Sequence, residues 1–364
     1  MILVLNAGSS SLRFALFEGA RVAGGSIERV HPGDQQSALG QVLEHLEPHG
    51  GLAGVAAVGH RLVHGGPSLT GPTILDDDAL AELRRLAQLD PDHLPAEISL
   101  VDAMRARAPA MPQVGCFDTA FHAGIPRVAR LLAIPRRFER QGVRRYGFHG
   151  LSYQFVLEEV GRLAGEAAHG RVVIAHLGSG SSLAAVLGGT CVDTTMGFTP
   201  NSGVPMGTRS GDLDAGLLVY LLRAEKLTVD QLDAMLSKES GLLGVSGSTA
   251  DMRDLLEREG TDGGAADAVA LYCHQVRKAI GALATTLDGL DMLVFTGGIG
   301  ENAAAVRARV CEGLGHLGVR LDTGRNAAST PVVSTDSSRV VVRVVRTDEE
   351  RIIARETLGM LSRR

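Results

Sequence analysis

Residues 2–17 read ILVLNAGSSSLRFALF, and residues 172–187 read VVIAHLGSGSSLAAVL. In both, an apolar run stops at a turn of glycine and serine, and a second apolar run returns. Short apolar runs bounded by such turns read as buried strands, so each stretch predicts a hairpin. The copies begin about 170 residues apart in a chain of 364, so each half is expected to hold the same core. Consecutive backbone N–H groups in turns of this kind form nests for anions, and serine hydroxyls add donors. Ser9 and Ser11, with the fixed charge of Arg13 behind them, are the candidates in the first turn. His176, Leu177, Gly178, Ser179 and Gly180 are those in the second. Two nests facing one cleft predict a clamp for a polyphosphate.

Further apolar, β-branched runs at 55–60, 113–117, 291–296 and 339–345 read as strands. Helical spacing marks 36–47, 77–88, 95–107, 150–163, 214–224, 229–237, 264–287 and 303–314. The closing segment 348–361 opens on Asp348, Glu349 and Glu350, acids suited to a helix N-terminus. Strands alternating with helices predict an α/β architecture with mixed sheets, and the length predicts two domains.

Hydrophobic residues make up 45% of the chain and charged residues 21%, which is globular composition. No apolar stretch reaches the roughly 18 residues of a membrane span, and no basic region precedes the first apolar run. A net charge of -5 with both signs scattered leaves no basic stripe for nucleic acid. Cys116, Cys191, Cys273 and Cys311 lie far apart with no CxxC spacing, which predicts a reducing, cytoplasmic compartment rather than disulfides or a zinc site.

Several short strings carry chemistry. GHRLVHGG (59–66) sets Arg61 before a flexible Gly65-Gly66, and a guanidinium there suits a small carboxylate or a phosphate. GCFDTAFH (115–122) puts Asp118 at the end of an apolar run, where it reads as a helix cap or as a cleft carboxylate. TGGIGEN (296–302) follows a strand and opens a helix, where N–H groups attract anions or polar ligands.

Taken in order, LNAGSSSLRF, GHRLVHGG, FDTAFH, RRYGFHGLS, HLGSGSS, TTMGFTP, MGTRSGDLD, FTGGIGEN and TDEERIIARET span essentially the whole chain. In this series the chain resembles the acetate kinases, short-chain carboxylate kinases of the sugar kinase, Hsp70 and actin superfamily. The resemblance implies a duplicated actin-like ATPase core, with two mixed-sheet domains flanked by helices around a central cleft. Residues 1–148 with 349–364 would form the N-terminal domain, and 149–348 the nucleotide-binding domain. It implies transfer of the γ-phosphoryl group of ATP to acetate, giving acetyl phosphate and ADP, in a homodimer with Mg²⁺ (Mn²⁺ as the alternative). Arg61 would bind substrate, Asp118 and His149 would be catalytic, and Arg209 would be the second cation beside the phosphoryl group. Val63, Phe148 and Pro200 would shape the acyl pocket. Adenosine would lie against Asp251, Met252 and Arg253 and against Gly298, Ile299, Gly300, Glu301 and Asn302. Asn6 and Glu349 would serve the metal, whose preference for oxygen ligands they satisfy.

A carboxylate acceptor is already ionised at neutral pH and needs no general base, so Asp118 is expected to serve the metal or to orient Arg61. Phosphoryl transfer is mainly positioning and charge stabilisation, and two arginines, a histidine and a metal are the parts it calls for. Some positions depart from the family pattern. Arg13 stands where Lys is usual and Ser179 where Asn is common. The segment usually written PLHNPPN is PDHLPAE here, which keeps His93 but brings in Asp92 and Leu94. Propionate and butyrate therefore stay open as acceptors. Two readings of other classes remain: an ATP-driven conformational protein, and a sugar kinase in which Asp118 acts as base.

Overall fold

The computed structural model describes residues 1–8, 11–31, 33–88 and 93–362. The chain divides into two compact units: residues 1–123, 148–155 and 348–364 form one, and residues 124–147 and 156–347 the other.

The first unit is built on six strands: β1 (Ile2–Ala7), β2 (Ser11–Glu18), β3 (Ala20–Glu28), β4 (Ala57–Leu62), β5 (Thr73–Ile74) and β6 (Gln113–Phe117). Their order is β3-β2-β1-β4-β6-β5. β1 pairs antiparallel with β2 and parallel with β4, while β2–β3 is antiparallel and β4–β6 parallel. Leu3, Leu5, Phe14 and Val58 bury one face of the sheet against Leu39 and Val42 of the helix Gln35–Leu46 and Leu100 and Met104 of the helix Leu94–Arg107. The closing helix Glu349–Leu361 covers the other face: a Cβ on Gly59 would run into Thr357 Oγ1 and Ile353.

The second unit carries β7 (Arg171–Leu177), β8 (Ser181–Leu187), β9 (Thr190–Thr194), β10 (Met292–Thr296) and β11 (Val341–Val344), ordered β11-β10-β7-β8-β9. Here β7–β8 and β8–β9 are antiparallel, and β7–β10 and β10–β11 parallel. Order and sense repeat those of β3-β2-β1-β4-β6, strand for strand. The duplication expected from two hairpins thus extends to five strands in each unit. Val173, Ala175, Leu183 and Phe295 pack with Val269, Tyr272, Val276 and Ile280 of the helix Gly263–Thr286.

All helices expected from spacing form, most within a residue or two of the expected bounds. Strands β3, β5 and β9 escape the sequence pattern, and each lies at a sheet edge. β3 is exposed at most positions, and a Cβ on Gly24 or Gly25 would sit 3.0 Å from Phe14 O or 3.1 Å from the Phe14 ring. No helix is long and apolar enough to cross a membrane among the described residues.

Candidate active site

Side chains alternate across a strand, and that alternation collects the site of the first unit. Leu3 and Leu5 face the core of that unit's helical layer, so Asn6 faces the closing helix. Gly59 abuts that helix, so Arg61 shares its face. Cys116 pairs with Arg61 in register, and Asp118 continues the same alternation, with its N–H donating to Leu62 O at 3.0 Å. Asn6, Arg61 and Asp118 therefore leave the ends of three neighbouring strands toward the start of the helix Glu349–Leu361.

Asn6 Nδ2 donates to Glu349 Oε2 at 3.1 Å and to Glu350 Oε1 at 2.9 Å. Arg61 donates to Asp118 Oδ2 through Nε at 3.2 Å and Nη2 at 2.6 Å, to Ala7 O through Nη1 at 2.7 Å, and to Glu97 Oε1 through Nη1 at 3.2 Å. Burial works against the Arg61 charge, but Asp118, Glu97 and Glu349 outweigh it and push the guanidinium pKa up. Burial likewise pushes the Asp118 carboxyl above the usual carboxylate range, opposed by Arg61 and reinforced by Glu349.

Asp118 Oδ1 is buried without a hydrogen-bond partner among the described residues. With Asn6 Oδ1 and the Glu349 carboxylate it makes a set of hard oxygens, the donors Mg²⁺ prefers. No group of three or more His, Cys, Asp or Glu side chains is gathered for a metal among the described residues.

Val63 and Phe148 are both buried, and the His64 ring packs edge-on to Phe148 with centroids 5.7 Å apart. His122, also buried, is bonded through Nε2 to Phe148 O at 2.9 Å. His149 follows with φ of 58°, the left-handed region, and Gly150 then donates its N–H to Asp118 O at 2.9 Å. A Cβ on Gly150 would overlap that same carbonyl, so only glycine permits this approach. Ser9 and Asp92 lie outside the described residues. Ser11 closes the first turn by accepting from Gly8 N at 2.8 Å, and Arg13, exposed, is the cross-strand partner of Asn6.

In the second unit Gly178 N donates to Gly180 O at 3.1 Å across the second hairpin turn. The turn lies against the glycine loop: a Cβ on Gly178 would be 3.8 Å from Gly298 N and 3.8 Å from His176 Nε2. Gly297, at φ +77°, lets the loop pass close to Leu177, because a Cβ there would stand 2.7 Å from Leu177 O. Gly207 N donates to Ser179 O at 3.0 Å, and Ala250, just before Asp251, borders the same place. Arg209 donates through Nη1 to Pro200 O at 3.2 Å, which joins two expected site residues.

Asp251 caps the helix Met252–Arg258 and pairs with Arg253 Nη2 at 2.6 Å. The side chains of Leu177 and Met252 belong to the apolar core, so they offer a ligand only main chain. Glu301 Oε1 accepts from Gly297 N at 3.0 Å and Thr347 N at 3.1 Å, binding its own loop together, and Asn302 Nδ2 donates to Gly298 O at 2.9 Å. Ile299 is partly buried against the same core.

Three groups escape sequence reasoning. Glu97 and His122 sit in runs of unremarked polarity. Arg307, fully buried, gives its five N–H donors to Gly300 O, Glu301 O, Asn326 and Ser329, and so fixes the end of the glycine loop. An Arg at an apolar-spaced position of the helix Ala304–Cys311, two residues before Arg309, is its only sequence signal.

A duplicated mixed-sheet core, each copy opening on a glycine-serine hairpin, is the actin-like ATPase fold. The profile described as the Acetokinase family matches residues 19–355. An acetate kinase of Rhodopseudomonas palustris is 41% identical, over 98% of this chain and 97% of that one. The crystal structure of Porphyromonas gingivalis acetate kinase superposes with a TM-score of 0.91 at 35% identity, covering 99% of each chain. A propionate kinase from Francisella tularensis gives 0.92 at 34% identity, covering 98% of this chain and 99% of that one. The chain belongs to the acetokinase family, whose members are kinases using ATP and ADP as co-substrates.

Proposed function

We propose that the chain transfers the γ-phosphoryl group of ATP to acetate, reversibly giving acetyl phosphate and ADP. The observation that carries this is the lock between Asp118 and Arg61. A hydroxyl acceptor brings no charge for a cation to meet, whereas two bonds to Asp118 Oδ2 hold Arg61, the cation that in this reading meets a carboxylate, at the strand ends. A carboxylate acceptor has no proton to lose, so Asp118 is not needed as its base and Oδ1 stays available for other chemistry.

In this reading Arg61 orients the acceptor between Val63, Phe148 and Pro200, and His149 and Arg209 stabilise the transferring phosphoryl. Arg13, Ser9 and Ser11 on one hairpin and His176 to Gly180 on the other hold the phosphates. Residues 251–253 and 298–302 hold the nucleoside. Asn6 and Glu349 would hold Mg²⁺, which would neutralise phosphate charge. In this reading the functional domains are 1–148 with 349–364, and 149–348, although residues 124–147 belong to the second compact unit and 149–155 and 348 to the first.

Propionate is the second acceptor, because Asp92 stands at an apolar position of the pocket pattern and one matched relative is a propionate kinase. A homodimer is supported by the helix Ala215–Ala224: none of its residues is buried, and Leu217, Val219, Tyr220 and Leu222 are exposed apolar groups. Four free, buried cysteines support a cytoplasmic setting.

The test is purified protein with ATP, Mg²⁺ and hydroxylamine, which traps acyl phosphates as hydroxamates. Acetate-dependent hydroxamate is expected, with propionate slower and glycerol or glucose phosphorylation absent. Hexose phosphorylation without hydroxamate would refute the reading.

A further inference from the structure

We propose that Glu97 is a positioning residue for the acceptor, one that tethers Arg61 and the Val63 main chain and sets, through its charge, how tightly a carboxylate binds. This rests on the carboxylate-kinase reading above. Glu97 stands in the first turn of the helix Leu94–Arg107 and is 3% exposed. Its Oε1 accepts from Arg61 Nη1 at 3.2 Å, and its Oε2 accepts from Val63 N at 2.8 Å. One carboxylate thus ties a candidate substrate cation and the neighbouring pocket main chain to the same helix.

The donor count gives this tether its consequence. Arg61 has five N–H donors. Four meet protein acceptors among the described residues: two on Asp118 Oδ2, one on Ala7 O and one on Glu97 Oε1. A single Nη2–H is left, too few for the two-pronged grip that an arginine usually offers a carboxylate. The charge count points the same way. Arg61 touches two carboxylates, Asp118 and Glu97, and Glu349 acts on it as well. An incoming carboxylate therefore meets a cation whose charge these carboxylates already offset. Removing the Glu97 charge lowers that repulsion, while removing its two bonds loosens the alignment of Arg61 and Val63. Binding and turnover should then move in opposite senses.

The experiment compares full-length wild type, Glu97→Gln and Glu97→Asp. It reads kcat and KM for acetate and ATP, and acetate binding without nucleotide by ligand-observed NMR. Glu97→Gln is expected to lower the acetate KM and dissociation constant at least ~3-fold through the lost like charge. Its kcat should fall about 10-fold through lost alignment, with the ATP KM within about twofold. Glu97→Asp keeps the charge, so its acetate KM should stay within about twofold of wild type while kcat falls. A merely structural role would leave the acetate KM of both variants alone. An unchanged or higher acetate KM in Glu97→Gln overturns the proposal, as does Glu97→Asp behaving like Glu97→Gln. Should Glu97→Gln fail to fold, Glu97→Asp decides: a rise of the acetate KM beyond about fivefold overturns the tether. A wild type that forms no hydroxamate instead sinks the kinase reading, and the Glu97 assignment with it. Normal wild-type turnover with an indifferent Glu97→Gln sinks Glu97 alone.

Discussion

Arg61 gives its Nε–H at 3.2 Å and an Nη2–H at 2.6 Å to the same oxygen of Asp118, Oδ2, and the other oxygen is buried with no partner among the described residues. One oxygen holds the arginine, which leaves the other for chemistry. Asp118→Asn keeps a carbonyl acceptor for Arg61 but removes the charge. Its kcat is expected to fall at least ~10²-fold, the scale of losing one preorganised charged group. The fold should lose well under the ~3–5 kcal/mol of a buried cation left alone, because Glu97 and Ala7 O still hold Arg61. Steady-state kinetics with a melting curve check both; near-normal kcat would remove Asp118 from the reaction.

Asn6 reaches the metal question from the other side. Its amide donates to Glu349 and Glu350, so it both offers an oxygen and orients the Glu349 carboxylate. Asn6→Ala should raise the Mg²⁺ needed for half-maximal rate by about 10–100-fold, the usual cost of losing a metal's immediate support. A Mg²⁺ titration at saturating ATP measures it. An unaltered Mg²⁺ requirement would show that Asn6 and Glu349 do not serve the ion.

His60 makes a prediction about stability. It is buried beside Arg61, with Nε2 bonded to Gln113 Oε1 at 2.6 Å. Burial, opposed by that bond, lowers its pKa to about 4. The folded value lies below the unfolded value of about 6.5, so the neutral ring stabilises fully above pH 6.5, and that stability drains as pH falls toward 4. The loss attributable to His60 over that window is about 3 kcal/mol. His60→Gln, which can still reach Gln113, should flatten the slope of unfolding free energy between pH 6.5 and 4. Denaturant melts at half-unit steps would show it, and equal slopes would mean that His60 already carries a proton in the native state.

Much of this was legible because both hairpins state their purpose locally: apolar runs, a glycine-serine turn and a return. Most of the helices were legible because each has a buried stripe; Ala215–Ala224 shows the same apolar spacing on an exposed face. Strand β3 was not, since an edge strand exposed at most positions needs no apolar pattern. Arg61 and Asp118 stood out as charges at the ends of apolar runs, but their bond joins residues 57 positions apart, which only the sheet register brings together. Glu97 and Arg307 were hidden for a related reason. Each is a charge on a helix whose partners come from other elements, and its burial depends on tertiary packing alone.

His149 carries the last prediction, because its backbone rather than its ring is unusual. Its φ of 58° puts a non-glycine residue in the left-handed region. Neighbours on both sides impose this. His122 fixes the Phe148 carbonyl, Gly150 is pressed against Asp118 O, and His149 O accepts from Tyr153 N at 3.1 Å. An L-residue in that conformation costs about 1 kcal/mol or more, and such strain persists where the site needs it. His149→Ala keeps the strain and loses the ring, whereas His149→Gly loses both. Glycine should therefore be the more stable variant by about 1 kcal/mol, although glycine normally destabilises an ordered segment. Both should lose kcat by at least ~10²-fold, since neither presents a donor to the phosphoryl group. Chemical denaturation of the two variants, alongside turnover, separates the two claims. Alanine as stable as glycine would mean that the backbone is unstrained, and turnover surviving in either would mean that the ring is not part of the reaction.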